Sequence, residues 1–467
     1  MLSKDRASQT TMSYQSAVER MYALGHELAH TPSSKFDLAY MRVLLEALDH
    51  PEKQFPSVLI AGTNGKGSTA ATLASILVAS GMRTGLYTSP HLVTINERIR
   101  INGDAIGDDE FALLHDMVDR TAERLVVEGE LPWHPSFFEM LTAMAFEYFS
   151  REKVDIAVLE VGMGGRLDAT NVVGPRVSVI TDISLDHQKF LGNTVAEIAR
   201  EKAGIMRPNG IVVTLPQSPE ANDVIGNAIL DCGATVVSAV PYVPPVSPAS
   251  TQVKTVAAAE VESAKETKLV SRYPLQVLGK QISVETPLVG RHQLRNIALA
   301  IATAEELAKQ GFPITSDSIE RGISQTRWPG RFQVIPAHDR WPEIVLDVAH
   351  NPAGAWALRS ALSACYDERP FTMIFGAMRD KAIAEIAEIL FPMAERVIAA
   401  RADNPRSATV EEIRQAAART STEILEETSV ATALSRGCEL VGNGGLLVVT
   451  GSIYVVGEAM RQLGIRI

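Results

Sequence analysis

The chain has 467 residues, 46% of them apolar, which exceeds what one hydrophobic core usually supports and leads us to expect two domains of unequal size. Its formal net charge of −11, with acidic and basic residues mixed along the chain, excludes the basic footprint of a nucleic-acid binder. Cys232, Cys365 and Cys438 are far apart with no C-x-x-C, the start is polar, and no apolar run is long enough for a bilayer, which excludes a disulfide framework, a zinc cluster and a membrane span and predicts a cytoplasmic protein.

Taken in order, Val18, Met21, Tyr22 and Leu24, then Leu38, Met41, Leu44, Leu45 and Leu48, recur at helical spacing and predict packing helices over 12–50. Val58 to Ile60 then read as a strand, Gly62-Thr63-Asn64-Gly65-Lys66-Gly67-Ser68-Thr69 as an anion loop, and the stretch to Gly81 as a helix with one apolar stripe of Leu73, Ile76 and Leu77. Glycines let backbone amides approach a polyphosphate at the helix N-terminus. Lys66 adds a point charge, and the Ser68 and Thr69 hydroxyls stand near a Mg²⁺. The spacing is a shorter variant of the common phosphate loop G-x-x-x-x-G-K-[ST], because Ile60 stands five before Gly65 and Gly67 separates Lys66 from the hydroxyls.

Further on, a short strand runs into Thr88-Ser89-Pro90-His91-Leu92, helices are predicted over 108–128 and 136–150, and the strand 155–160 ends in a glycine-rich turn up to Asn171. The strand 177–182 ends in Asp186-His187, a helix carries Lys202 just before Gly204, and 210–215 is another strand. Residues 240–270, with Pro241, Pro244, Pro245 and Pro248, read as a surface excursion. A helix then begins near Leu288, and strands near 344, 371, 396 and 445 alternate with helices again. We therefore expect an α/β protein with a larger N-terminal phosphate-loop domain (1–325) built on a mostly parallel sheet and a smaller, Rossmann-like C-terminal domain (326–467). Polar groups falling at strand carboxyl ends mark the ligand edge of such a sheet.

Taken together, Gly62 to Ser68, Thr88 to Leu92, Glu97-Arg-Ile, Leu159-Glu160-Val-Gly-Met-Gly-Gly-Arg-Leu167-Asp168-Ala169-Thr-Asn171, Asp186-His187, Glu201 to Gly204, Pro329-Gly-Arg331, Asp347 to Pro352 and Thr450 to Ser452 resemble the folylpolyglutamate synthase and dihydrofolate synthase family of the Mur ligase superfamily. The resemblance implies ATP-driven amide formation, in which a carboxylate attacks the γ-phosphate and the amine of L-glutamate displaces phosphate from the acyl phosphate. It implies metal positions at Ser68, Ser89, Glu160, His187 and Lys202 for two Mg²⁺ ions, with Lys202 carbamylated by CO₂ to N6-carboxylysine. Read alone, Lys202 is a helix-end lysine facing the carbonyl end of the dipole.

The same resemblance assigns Asn296, Arg331 and Asp347 to adenine, phosphate and ribose, and His350 to the glutamate site. Ser136-Phe137-Phe138-Glu139 and Leu167-Asp168-Ala169 match segments that contact the pterin. Lys66, Lys202, His187 and His350 are the expected catalytic group, and the enzyme is expected to be a monomer. Gly376 to Lys381 and Asn404 to Ser407 also match, departing from the family pattern at Met378 and Ser407. The Phe137, Phe138 and Asp168 segments match bacterial members that act on both dihydropteroate and reduced folates, whereas other members act on folates alone. A peptidoglycan-type amino-acid ligase and a nucleotide-dependent switch protein are the alternatives from other classes.

Overall fold

The computed structural model describes residues 12–25, 37–245, 252–257, 267–338, 341–367, 369–442, 444–465 and 467. The first sheet comprises β1 (Ser57–Ala61), β2 (Thr84–Tyr87), β3 (Ile99–Ile101), β4 (Asp104–Ala105), β5 (Ile156–Glu160), β6 (Val177–Ile180), β7 (Ile211–Thr214) and β8 (Thr235–Ser238), in the order β4-β3-β2-β5-β1-β6-β7-β8. Only β3 and β4 run antiparallel to their neighbours. All five residues of β1 are buried because both faces are covered. Leu59 and Ala61 pack with the helices Asp108–Val127, Phe137–Arg151 and Val195–Ala203, whereas Val58 and Ile60 pack with Lys66–Ala79, Arg291–Lys309 and Ser316–Ser324.

Sandwiched in that second layer, the helix Lys66–Ala79 departs from the single stripe expected of it. Gly67 to Ala74 are buried in unbroken succession, together with Ile76 and Leu77. The helices Arg291–Lys309 and Ser316–Ser324 close its outer side, and Gly322 comes so near that a Cβ there would lie 2.4 Å from Ile76 Cα. A helix apolar all round is an interior helix.

Of the excursion expected over 240–270, residues 246–251 and 258–266, Pro248 included, lie outside the described residues, and the described part enters a sheet. β9 (Gln252–Ala257), β10 (Thr267–Val277) and β11 (Lys280–Thr286) form an antiparallel sheet in the order β11-β10-β9. Leu278 and Gly279 take φ of 49° and 75°, the signs a two-residue hairpin requires, and Tyr273, Val277, Ile282 and Val284 alternate into the core beneath. The helices expected over 12–50 are Tyr14–Ala23 and Leu38–Glu46, with residues 26–36 outside the described residues.

The third sheet contains β12 (Gln333–Ile335), β13 (Glu343–Leu346), β14 (Thr372–Phe375), β15 (Arg396–Ala400), β16 (Glu423–Glu427) and β17 (Leu446–Thr450), ordered β12-β13-β17-β14-β15-β16 and parallel except for β12. Helices cover both faces. The two large sheets approach closely at the loop after β2, where a Cβ on Gly457 would lie 2.0 Å from the Leu92 carbonyl oxygen. Among the described residues no helix is long and apolar enough to cross a membrane.

Candidate active site

The carboxyl ends of β1, β2, β5, β6, β13, β14 and β17 open on one cavity of about 840 Å³. Where β1 ends, the Thr63 and Asn64 amides donate to the Asp182 carbonyl at 2.8 and 3.1 Å, and the Thr63 hydroxyl donates to Ser184 O at 3.0 Å. Gly65 then turns left-handed (φ 86°) under the Asn296 carboxamide, whose Oδ1 lies 2.1 Å from where a Cβ would be. Gly67 has a second reason to be glycine: a Cβ there would lie 2.7 Å from the Trp328 ring.

Lys66 folds back over this loop, its Nζ donating to Gly62 O at 3.1 Å and Thr63 O at 3.3 Å. Ser68 lines the cavity. Thr69 does not: it is fully buried and its hydroxyl donates to Asn296 O at 3.4 Å, so the expected place for it beside a metal is corrected to a packing role.

The helix Val195–Ala203, closed by a Thr194–Glu197 capping box, aims Lys202 at the same carbonyl, with Nζ 2.7 Å from Gly62 O. Burial, and then the charge of Lys66, push the Lys202 amine down to about 7. Glu160 ends β5 and accepts from the Ser89 amide at 3.3 Å. His187, left-handed at φ 51°, is lowered to about 4 by burial and by Lys381, Lys66 and His350, against the pull of Asp186, so its imidazole is neutral.

Among the described residues, no three His, Cys, Asp or Glu side chains gather closely enough to hold a metal by themselves. Mg²⁺ ordinarily takes few protein ligands and completes its shell with phosphate oxygens and water. A Ser89 hydroxyl, a Glu160 carboxylate and a neutral imidazole at the edge of a phosphate loop fit that half-open shell.

Across the cleft, Lys381 Nζ lies 2.5 Å from Asp186 Oδ1, each side chain only 8% exposed, and His350 Nε2 lies 3.6 Å from Asp186 Oδ2. Burial would raise the Asp186 carboxyl, but His350, His187 and Lys381 together hold it well below the usual carboxylate range. His350 Nδ1 lies 2.9 Å from Val348 O. Asn351 caps the helix Pro352–Cys365 and donates to Asn64 Oδ1 at 2.9 Å and to Asp186 Oδ2 at 3.3 Å, which joins the phosphate loop to the third sheet.

Asp347 accepts from the Phe332 and Ala349 amides at 2.8 and 2.9 Å. Burial pushes its carboxyl up and the Arg331 guanidinium down, each opposed by the other's charge. His292, half-buried one helical turn before Asn296, is lowered to about 4 by desolvation.

The far wall is the stretch 133–139. Ser136 and Glu139 engage each other in a capping box, with Ser136 N 2.8 Å from Glu139 Oε2. Phe137 lies between the Tyr22 ring (5.8 Å, 17°) and the Arg98 guanidinium (5.2 Å). Phe138 packs instead on Gly162, where a Cβ would lie 2.6 Å from its ring. Opposite, Asp168 accepts from Met163 N at 3.0 Å, Thr170 N at 3.0 Å and the Thr170 hydroxyl, and burial raises its carboxyl.

Every site residue expected from the sequence except Thr69 therefore lines one cavity, Leu167 and Ala169 included. Asp186, Asn351 and Lys381 all stand in matched motifs without an assigned role. His292 and Arg295 were legible as polar residues one helical turn before and directly beside Asn296. Arg295 pairs with Asp182 at 2.6 Å.

Residues 138–304 match the Mur ligase middle domain, and residues 330–453 match the Mur ligase glutamate ligase domain. A dihydrofolate synthase/folylpolyglutamate synthase from Bacillus subtilis is 32% identical over 438 residues, covering 91% of this chain and 94% of that protein. The chain belongs to the dihydrofolate synthase/folylpolyglutamate synthase family of Mur ligases. It is accordingly an enzyme, an ATP-dependent carboxylate–amine ligase. This synthase-family ligase is also similar to the folylpolyglutamate synthase of Lacticaseibacillus casei, at 39% identity over 349 residues covering 74% of this chain and 77% of that one. Among solved structures, the Mycobacterium tuberculosis folylpolyglutamate synthase complexed with ADP and AMPPCP superposes with a TM-score of 0.83 at 30% identity, covering 97% of the ligase and 99% of that chain.

Proposed function

We propose that this ligase adds L-glutamate to the carboxylate of both dihydropteroate and reduced folates, with ATP as cosubstrate and an acyl phosphate as intermediate. The observation that carries the reading is a single cavity bounded by the phosphate loop, by Lys202, Glu160 and His187, by the aromatic wall 133–139 and by Asp347, His350 and Lys381 from the third sheet. In this reading the pteridine lies toward Phe138, Leu167, Asp168 and Ala169, adenine and ribose meet Asn296 and Asp347, and Lys66 and Arg331 hold phosphate oxygens. A substrate carboxylate oxygen bonds to the γ-phosphorus as ADP departs. The neutral amine of glutamate then bonds to the acyl carbon as inorganic phosphate leaves. Ser68, Ser89, Glu160 and His187 would hold Mg²⁺, which would supply charge neutralisation for the phosphates.

A lysine amine lowered to about 7 is partly neutral at physiological pH, which supports carbamylation of Lys202: the amine bonds to CO₂, loses a proton and becomes an anion fit to face a second Mg²⁺. Burial of the cleft around Asp186 and Lys381 supports exclusion of water from the acyl phosphate. We place the domain boundary at residue 326, the protein in the cytoplasm and the active species as a monomer.

The deciding experiment measures phosphate release and glutamate incorporation with dihydropteroate, tetrahydrofolate and a UDP-sugar peptide, each with and without glutamate. Incorporation into both pteridine acids is expected. Incorporation into tetrahydrofolate alone reduces the enzyme to a folylpolyglutamate synthase, and turnover of the UDP-sugar peptide overturns the substrate assignment.

A further inference from the structure

One charged cluster touches the cavity without converging on the phosphate loop. His134, in the wall stretch, has Nδ1 3.0 Å from the Pro135 carbonyl oxygen and Nε2 3.1 Å from Asp119 Oδ1. A carbonyl oxygen can only accept, so Nδ1 carries a proton. Asp119 is held below the usual carboxylate range, first by its bond to His134 and also by Arg20, whose Nη1 lies 3.0 Å from Oδ2. It too can only accept, so Nε2 also carries a proton. Two acceptors on one ring fit its doubly protonated form, and 26% of the side chain is exposed.

The groups around it agree. From the helix Asp108–Val127, Asp119 and Glu123 favour the charged ring, and the Pro135 bond adds to them against burial, so His134 titrates above the ordinary imidazole range. His115, one turn before Asp119, is fully buried with neither ring nitrogen bonded, and burial lowers its pKa, which favours the neutral ring, against the pull of Asp119 and Asp116. From the helix Tyr14–Ala23, Arg20 faces the same carboxylate.

Residues 131–136 belong to no helix or strand. Leu131 N donates to Leu125 O at 3.1 Å, Trp133 meets Tyr40 edge-on at 5.3 Å, and His134 makes the two bonds above. We infer that His134 is a positioning residue for the pteridine substrate, its ring holding the wall's own backbone through Nδ1 on the Pro135 carbonyl and tying the wall to the helix Asp108–Val127 through Nε2 on Asp119. This rests on the proposed pteridine reading. A neutral ring has one N–H and cannot serve both acceptors. The ties are therefore complete below the raised pKa, and one is lost as pH rises through it.

The test is steady-state kinetics across pH 6–10 for wild type, His134→Gln and His134→Asn, with the His134 ring nitrogens followed by NMR in the wild type. We expect the wild-type KM for the pteridine acid to climb about tenfold on the alkaline side, the loss of one charge-assisted hydrogen bond, with kcat and the KM for ATP following the same profile in all three proteins. Both variants should show the raised KM already at neutral pH, without that alkaline climb. A variant KM equal to the wild-type value at neutral pH, or a variant that keeps the wild-type KM profile, overturns the inference. If the wild type ligates no pteridine acid, the functional reading fails instead, and NMR alone decides His134: a doubly protonated ring at neutral pH supports the pinning, and a neutral one overturns it.

Discussion

At the phosphate end of the cavity the working side chains rest on main chain: Lys66 on the Gly62 and Thr63 carbonyls, Lys202 on the Gly62 carbonyl, and the loop itself on Asp182 O. Along the wall 133–139 they rest on other side chains: Phe137 between Tyr22 and Arg98, Ser136 on Glu139, and His134 on Asp119. A strand end keeps its shape when one side chain is shortened, whereas a wall made of interlocking side chains does not. Substitutions at the first end should change chemistry on an intact frame, and those at the second should change the frame.

The sharpest separation comes from Lys66→Ala, for which kcat should fall on the order of a hundredfold or more while the thermal transition stays at the wild-type temperature, because the ammonium bonds to loop carbonyls at the cavity surface. A folded Lys66→Ala enzyme with near-normal turnover breaks the comparison at its strongest point. Next, Lys202→Ala should be nearly inactive and partly rescued by an added short carboxylate, while Lys202→Arg, which fills the space, should not be rescued. Rescue of neither with full activity of Lys202→Arg returns the residue to packing. The sign of its titration is also testable. In CO₂-free buffer, where the amine is unmodified and its folded pKa of about 7 lies below the unfolded value, the stability of wild type relative to Lys202→Met should rise with pH from about 7 towards 10.5 and be lost as pH falls back to about 7.

Asp186→Asn tests the contact that joins the two halves. It leaves the Lys381 ammonium largely buried without its anion, so kcat/KM for glutamate should fall about tenfold or more. The smallest effect belongs to the wall: Ser136→Ala removes the helix cap and should lower stability by about 1 kcal/mol, read by denaturant titration, with a few-fold rise in the KM of the pteridine acid and an unchanged kcat. A fall in kcat without a change in KM would contradict the division between the two ends.

The same division explains what could be read from the sequence. At the phosphate end the order of strand, glycine loop and helix was legible because it is local, whereas the burial of Thr69 against Asn296 and the seats of Lys202 and Asp182 depend on distant residues. The wall was legible only as a matched segment. Its fixing contacts join residues 99 positions apart in Arg20 and Asp119 and 15 apart in Asp119 and His134, and no spacing rule reports such pairs. The burial of the helix Lys66–Ala79 on all sides escaped the apolar stripe for the same reason, since its second cover is supplied by Gly322 and its neighbours. β9–β11 were hidden by the prolines that precede them, although the alternation of Ile282 and Val284 after Gly279 carried a hairpin signal.

The bridge from Asn64 to Asn351 has a consequence for the solution conditions the enzyme tolerates. It is a bond between neutral amides, and the ion pair beside it, Asp186 with Lys381, lies where solvent barely reaches. Dissolved ions screen charges in water and leave both contacts almost untouched. The two halves of this ligase should therefore stay in register in concentrated salt, and its glutamate KM should change little between dilute buffer and about 1 M potassium chloride, conditions under which halves held by exposed charges would drift apart.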